Sequence, residues 1–451
     1  MRDLEGWVAG LTSPATGEQV TAVTEGKAEQ LKPSSSIWMD VLRVAGVSLL
    51  FCCALELGLR LGGAKFEASL YEIDPVRHFS FRPGAKGWHT TESDIYIRIN
   101  KQGRRDLTRT LVPSPGTLRI AVLGSSTTAG LEVEQPQTYT ALLEKELGQP
   151  GRPVEVLNFG TEGFGAGQDY YTLRDQVWKY HPQIVMDEVS LKQYVLNCTK
   201  KYCRTHDPYP YFVLTPDGGI APDPESMRIP RPTEAQVRRS NLERNIVNSL
   251  QLTLLATDVQ KQATTKIKSL LSGKGSKTEL AQDPMDDPMR WTLVPPPNPT
   301  IEQGWGVLQA LELAMRDDAK AHGAEYWVIA SDDQFQVDPK PEVAETLRQA
   351  MHASNLEYGD ERFDSFLTAH DVHHIHLEPA LKEYVRTTGA YLHGGVKTPA
   401  GEGHWNVLGH RVVAGIIAAR LRQNSEAFKH WEEAGRTGSP QAVRQPSGKT
   451  I

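Results

Sequence analysis

The segment Gly124-Ser125-Ser126-Thr127-Thr128-Ala129-Gly130 follows five β-forming residues, Arg119 to Leu123. Small hydroxyl side chains just past a buried strand have three chemical uses. Their loop cradles a phosphate, a hydroxyl caps the next helix, or one serine is a nucleophile. The phosphate loop fails on spacing: five residues, not four, separate Gly124 from Gly130, and Leu131 stands where a lysine is needed. A cap alone leaves two downstream stretches unexplained. Residues 154–168, VEVLNFGTEGFGAGQ, read as strand, Gly-rich turn and helix, and glycines after a strand let backbone N–H groups approach a developing oxyanion. Residues 401–421, GEGHWNVLGHRVVAGIIAARL, put His404 at the mouth of a helix with Val412, Ile416, Ile417 and Leu421 on its apolar face. Serine, glycine turn and late histidine, in that chain order, form a hydrolase set.

The other chemistry-bearing stretches have plainer readings beside the functional one. In HDVHHIH, residues 370–376, strand alternation puts His374 and His376 on one face, but no clear third metal ligand accompanies them. No cofactor or metal is expected. The carboxylates of SDDQFQVD, residues 331–338, either bind substrate hydroxyls or form a solvated loop. Trp88, Tyr96, Trp305 and Trp405 offer a carbohydrate-stacking surface or are core. Cys198 and Cys203 flank TKKY with no second Cys/His pair at zinc spacing, so they are a local disulfide or two thiols. Asn406 reads as a helix cap and His410 as structural.

These residues need elements to hold them. Strands are expected at 118–123, 154–158, 184–189, 325–330 and 373–377, with helices at about 136–148, 168–181, 303–322, 341–353 and 406–422. Alternating strands and helices imply a doubly wound parallel sheet. Asp187 and Glu188 interrupt the third strand, which should be apolar if buried on both faces. Residues 195–302 form a long excursion, helical in period from 233 to 271, that is either a lid or an appendage. Ahead of the first strand, residues 64–117 are irregular, with a short hairpin placed by the alternation at Ile95–Ile99 and a turn at KQG.

Residues 1–36 and 431–451 are polar and read as disordered. Between the first of these tails and the body lie residues 37–63, whose clean apolar run from Val44 to Leu55 lengthens to a span only by taking in Arg43, Glu56 and Arg60. Charges near helix ends can snorkel, so a signal anchor is expected, with an amphipathic or buried helix as the alternative. Across the 451 residues, 39% hydrophobic and 23% charged, the net charge is −6 with no long basic run, which argues against a nucleic-acid partner.

With these residues assembled, the chain resembles the SGNH (GDSL-type) hydrolases, and more narrowly their bacterial membrane-anchored members. The resemblance runs over about residues 50–425 through ALELGLRLGG, RPGAKGWHTTESDIYIRINKQGRRD, LRIAVLGSSTTAGLEV, VEVLNFGTEGFGAGQ, PYFVLTPDG, NLEYGDERFDSF and GEGHWNVLGH. It implies a flavodoxin-like three-layer α/β/α sandwich with a central parallel sheet and the site at the carboxyl ends of its strands. The family's Gly-Asp-Ser block falls on Gly124-Ser125-Ser126. That register makes Ser126 the nucleophile and a backbone oxyanion donor, with Ser125 the lesser candidate. The block-two glycine falls on Gly163, with Gly160 as the alternative. The third block departs from the family: Lys192-Gln193-Tyr194 stands where Gly-Asn-Asp is usual, so the oxyanion amide passes to Gln193 or Asn197. The fourth block makes His404 the base. Glu402 takes the place of the usual orienting aspartate, or His404 works in a dyad.

The resemblance implies a membrane-tethered serine esterase on the extracytoplasmic or periplasmic side, acting through an acyl-enzyme on an ester-bearing substrate, an acylated polysaccharide or lipid. A compact acyl group such as acetyl suits the small hydroxyl loop. An O-acyltransferase would use the same site. A binding or scaffold protein with a damaged site is the rival, motivated by the changes at Gln193-Tyr194 and before His404.

Overall fold

The computed structural model describes residues 35–203, 210–228, 230–271 and 284–436. Two compact units divide the chain, one up to Leu55 and the other from Glu56 onward. The first carries most of helix α1 (Ser35–Leu61), whose Leu42, Val44, Val47, Leu49, Leu50 and Phe51 are exposed. One helix among the described residues, Ile37–Leu61, is long and apolar enough to cross a membrane. At 1.5 Å per residue, 25 residues exceed the ~30 Å of hydrocarbon.

The second unit begins with two hairpins, β1 (Tyr71–Asp74) with β2 (His78–Phe81) and β3 (Lys86–His89) with β4 (Ile95–Arg98). The expected hairpin is therefore displaced. Ile95 to Arg98 pair backward with Lys86 to His89, so the turn is Thr90 to Asp94 and KQG comes after the hairpin. Strand β5 (Leu118–Gly124) then leads into α2 (Ser126–Ala129), α3 (Tyr139–Leu147), β6 (Val154–Asn158), α4 (Ala166–Asp175), β7 (Ile184–Val189) and α5 (Leu191–Asn197). The excursion follows as β8 (Phe212–Leu214), β9 (Ile220–Pro222), α6 (Glu234–Ser249) and α7 (Gln251–Leu271). The remainder is α8 (Pro299–Ala321), β10 (Glu325–Ala330), α9 (Pro341–Ala350), α10 (Tyr358–Ala369), β11 (His373–His376), α11 (Glu378–Thr388), α12 (Val407–Asn424) and α13 (Glu426–Arg436).

The central sheet is five-stranded in the order β11-β10-β7-β5-β6, with every pairing parallel. Counted along the chain this is 2-1-3-4-5, the flavodoxin-like winding, and ligands in such sheets bind beyond the carboxyl ends of the strands where the order reverses. That switch point lies between β5 and β7, where the hydroxyl loop leaves the sheet. Strand alternation divides the core. Leu118, Ile120, Val122, Ile184, Met186, Trp327 and Ile329 join the layer under α3, α11 and α12. Ala121, Leu123, Val185, Val189 and Val328 join the layer under α4, α5 and α8. Each fully buried large apolar side chain contributes roughly 1.5–3 kcal/mol by its removal from water.

Within the excursion, α6 serves the hairpins, whereas Thr292 near its end reaches the carboxyl ends of β7 and β10 beside Ser190 and Ser331. Helix α6 lies along β1: Asn241 Nδ2 donates to Glu72 and Arg244 Nη1 to Ser69 Oγ at 2.8 Å, and Arg82 bonds Asn245. The Glu56 carboxylate accepts from Gln251 N at 3.0 Å and Leu252 N at 2.9 Å, capping α7, while pairing with Arg60 as their i,i+4 spacing allows. At the other end, α13 extends past residue 430, so 431–436 are not a loose tail: Trp431 is buried and its Nε1 donates to Gly116 O at 2.7 Å. Residues 1–34 and 437–451 lie outside the described residues.

Candidate active site

Strand β5 ends at Gly124, and the chain turns at once into the single turn of α2, which lifts Ser126 to the end of the sheet. The neighbouring turn after β6 is tied to this loop by Thr161 N to Gly124 O at 3.0 Å and by Asn158 Nδ2 to Thr128 O at 2.7 Å. Gly160 is the close approach: a Cβ there would lie 2.6 Å from Thr128 Cβ and 2.7 Å from Ala129 N. Its N–H is taken by Asn158 Oδ1 at 2.9 Å. Gly160 thus fits a packing role, and Gly163, at φ +85°, is the glycine that shapes the rest of the turn.

His404 arrives from a loop ahead of α12 that is buttressed from below. Asn406 accepts from Gly409 N at 2.9 Å and caps the helix. The SDDQFQVD stretch proves to be the support. Asp332 accepts from Trp405 Nε1 at 2.9 Å and meets His393 Nε2 at 2.8 Å, and Gln334 Oε1 accepts from Gly403 N at 2.9 Å. Of the candidate stacking aromatics, Trp305 and Trp405 are core, and Trp88 and Tyr96 meet edge to face on the β3–β4 hairpin.

The result is a continuous chain of side chains. His404 Nε2 lies 2.8 Å from Ser126 Oγ, and His404 Nδ1 lies 2.8 Å from Glu92 Oε1. The other Glu92 oxygen accepts from His404 N at 3.0 Å, so the carboxylate grips both ring and backbone. Gly403, at φ +75°, makes this possible, because a Cβ there would run into Glu92 Oε2. The carboxylate on His404 is therefore not that of Glu402, which is exposed, but that of Glu92 at the tip of the β3–β4 hairpin. The sequence signal for Glu92 was only the polar tip TTESD. Nothing local ties it to His404, 312 residues away.

The second carboxylate that sequence reasoning missed is Glu132, just past the hydroxyl loop. Its Oε1 lies 3.5 Å from His404 Nδ1 and 3.8 Å from His89 Nε2. Burial disfavours the imidazolium of His404, but Glu132 and the hydrogen-bonded Glu92 outweigh it and lift the ring to about 9. Burial alone would raise Glu132, yet the charges of His404 and His89 hold it down at about 2. Glu92, Glu132 and His404 are also the three groups among the described residues whose donors gather within 4.8 Å as a metal would require. An ion there would compete with Glu92 for the same Nδ1.

Ser125 and Gln193 are brought together, with Gln193 Nε2 donating to Ser125 Oγ and to Phe164 O, both at 2.8 Å. Ser125 is buried and Ser126 is the serine at His404. Asn197 is not in this group. It is buried against Cys203, whose Sγ lies 3.6 Å from Asn197 Oδ1, and Cys198 remains a thiol. Tyr194 OH donates to Asp169 at 2.6 Å. His374 and His376 each meet a separate carboxylate, Asp364 at 2.9 Å and Asp360 at 3.4 Å. His410 is buried, accepts from Tyr139 N at 3.2 Å, and is pushed down to about 3 by burial.

Asp187 and Glu188, the two acids inside β7, are fully buried below the site. Glu188 accepts from Thr128 Oγ1 at 3.1 Å, while neither Asp187 oxygen finds a hydrogen-bond partner among the described residues. Asp169 and Glu312 complete an acidic interior. Burial, reinforced by mutual repulsion, raises Asp169 and Glu188 to about 7 and Glu312 to about 8, so these groups hold protons where carboxylates ordinarily do not.

No family model matches the chain, and no curated protein matches it. Among solved structures it is similar to an acetyl xylan esterase, at 10% identity over 67% of this chain and 100% of that one with a TM-score of 0.34. It is similar to a lipase/acylhydrolase from Enterococcus faecalis, at 14% identity over 68% and 96% of the two chains with a TM-score of 0.31. A third is a lipolytic protein of the G-D-S-L family from Desulfitobacterium hafniense DCB-2, at 9% identity over 67% and 98% with a TM-score of 0.29.

Proposed function

We propose that the chain is a serine esterase of the SGNH (GDSL) type. The observation that carries this reading is the unbroken path Ser126–His404–Glu92, with both hydrogen bonds at 2.8 Å. His404 Nε2 takes the Ser126 proton as Oγ attacks an ester carbonyl, and Glu92 orients the ring and stabilises the imidazolium that forms. The backbone N–H groups of Ser126 and Gly163 hold the oxyanion. Gln193 supports their loops by joining Ser125 to Phe164, in place of donating directly to the oxyanion. His404 returns the proton to the departing alcohol, and water then releases the acid from the acyl-enzyme by the same route in reverse.

The supply of an orienting acid from the hairpin removes one of the two reasons for reading the site as damaged. A compact acyl group on a hydroxyl-rich carrier such as a polysaccharide fits best. The apolar helix Ile37–Leu61 supports attachment to a membrane, and an extracytoplasmic location of the esterase unit is part of the proposal. Hydrolysis of p-nitrophenyl acetate by the full-length chain in detergent tests the reading, with Ser126→Ala expected to lower the rate by three orders of magnitude or more. Equal rates in the two proteins would return the chain to the binding or scaffold role, and preference for an added sugar alcohol over water would make it an acyltransferase.

A further inference from the structure

His404 Nδ1 faces two carboxylates where orientation of a base needs one. Glu92 makes the hydrogen bond at 2.8 Å, and Glu132 stands at 3.5 Å from the same nitrogen. The two come from different elements, the tip of the β3–β4 hairpin and the loop after α2. Glu132 does not end the path. Its Oε1 is 3.8 Å from His89 Nε2, and His89 Nδ1 is 3.0 Å from Glu67 Oε1. Glu67 is fixed in turn by Thr90, whose N–H donates at 2.6 Å and whose hydroxyl donates at 3.0 Å. Only 5% of the Glu132 side chain is exposed, and its Oε2 has no hydrogen-bond partner among the described residues.

A buried carboxylate pays heavily in solvation unless cations flank it. Arg105 is near but spends its guanidinium on backbone oxygens, reaching Ala129 O at 3.0 Å and bonding Gly130 and Val133. The two imidazoles are therefore what holds Glu132 ionised. With both rings protonated, Glu67, Glu92 and Glu132 outnumber them by one charge. With His404 neutral the excess is two. The arrangement favours the state in which His404 carries a proton, which is the state formed as Ser126 attacks.

Resting on the esterase reading, we propose that Glu132 is a second positioning acid for His404, held charged by His89 and backed by Glu67. No proton passes to Glu132. The Ser126 proton stays on His404 Nε2 until it goes to the leaving alcohol, and Glu132 acts through its field on Nδ1, 3.5 Å away. Other charged or titratable groups that act on His404 include Glu162 on the glycine turn, Glu188 on β7 and His410 on α12. Burial opposes the proton on His404, and Glu132 is the strongest of the influences that restore it.

The test is the pH profile of kcat/KM for p-nitrophenyl acetate, pH 5 to 10.5, with full-length wild type, Glu132→Gln and Glu132→Asp in detergent. The His404 Cε1–H resonance is titrated by NMR in the same three proteins. In wild type kcat/KM rises with pH through a midpoint near 9 toward a plateau above it. Glu132→Gln should move that limb and the NMR midpoint down by a unit or more and lower the plateau at least tenfold. Glu132→Asp should move both in the same direction by less, and it takes the place of Glu132→Gln if that protein does not fold. Limb and midpoint unmoved in either folded variant overturn the proposal, even if thermal stability falls. Because the NMR titration needs no turnover, an unmoved resonance overturns this inference alone, whereas a wild type that does not react at Ser126 overturns the esterase reading.

Discussion

Replacing Glu92 by Gln removes one charge and little volume from the tip of the β3–β4 hairpin. The carboxylate and the imidazolium are in contact at 2.8 Å, with charge centres roughly 4 Å apart. Both are partly exposed, at 19% and 27%, so an effective dielectric near 20 applies and the pair is worth about 4 kcal/mol, about three powers of ten in rate. Two features reduce this loss. A Gln oxygen can still accept from His404 N, and Glu132 stays 3.5 Å from Nδ1. The expected loss in kcat/KM at the high-pH plateau is therefore about 10²–10³, with the acid limb moved to lower pH because one anion beside the imidazolium is gone. The assay is p-nitrophenyl acetate hydrolysis across pH 5 to 10.5, with Glu402→Gln as the control. Glu402 is exposed and should keep its rate within twofold. A Glu92→Gln rate within threefold of wild type, or a tenfold loss in Glu402→Gln, would refute the assignment of the orienting acid to the hairpin.

Two further outcomes follow from the supports of the site. Gly160→Ala puts a methyl group 2.6 Å from Thr128 Cβ, which parts the hydroxyl loop from the glycine turn; it should cost about 1–3 kcal/mol and lower kcat/KM by tenfold or more, and a denaturation midpoint and rate equal to wild type would exclude this contact. Glu188→Gln should stabilise the fold at alkaline pH. The unfolded glutamate loses its proton near 4.5 and the buried one near 7, so the unfolded chain binds fewer protons between these values and wild-type stability falls across that window. The deficit above pH 7 is about 3 kcal/mol, so the thermal midpoint of the variant should exceed wild type by several degrees at pH 8 and match it at pH 4; an equal difference at both would be wrong for a titrating group.

The sheet was legible because β5, β6 and β10 are short, largely apolar runs bounded by turn residues, and the alternation of strands with helices placed β7 and β11 despite Asp187, Glu188 and the histidines. All five expected strands lie within a residue of their observed ends. Ser126 and His404 were legible because each sits at a strand end or helix mouth whose local chemistry announces it. Glu92 was not, since the hairpin turn was placed one loop too late and a glutamate in a polar turn looks like solvated surface. Glu402 was the natural choice because it stands where the resembled family carries its orienting aspartate, and the positive φ of Gly401 and Gly403 carries it out of the contact. Asp187 and Glu188 looked like errors in a buried strand. Their explanation is collective, four acids and the hydroxyls of Tyr194, Tyr326 and Thr128 meeting from different elements. Alpha-helices α10, α11 and α13 were missed because their apolar stripes are short and interrupted by charge.

The most direct test is a fluorophosphonate, which forms a covalent bond only with a serine whose proton a neighbouring base can take. The full-length chain is treated at pH 8, digested, and the adduct located by mass spectrometry. The adduct is expected on Ser126, lost in Ser126→Ala and kept in Ser125→Ala. No adduct on folded wild type, or one on Ser125 that persists in Ser126→Ala, would contradict the central claim.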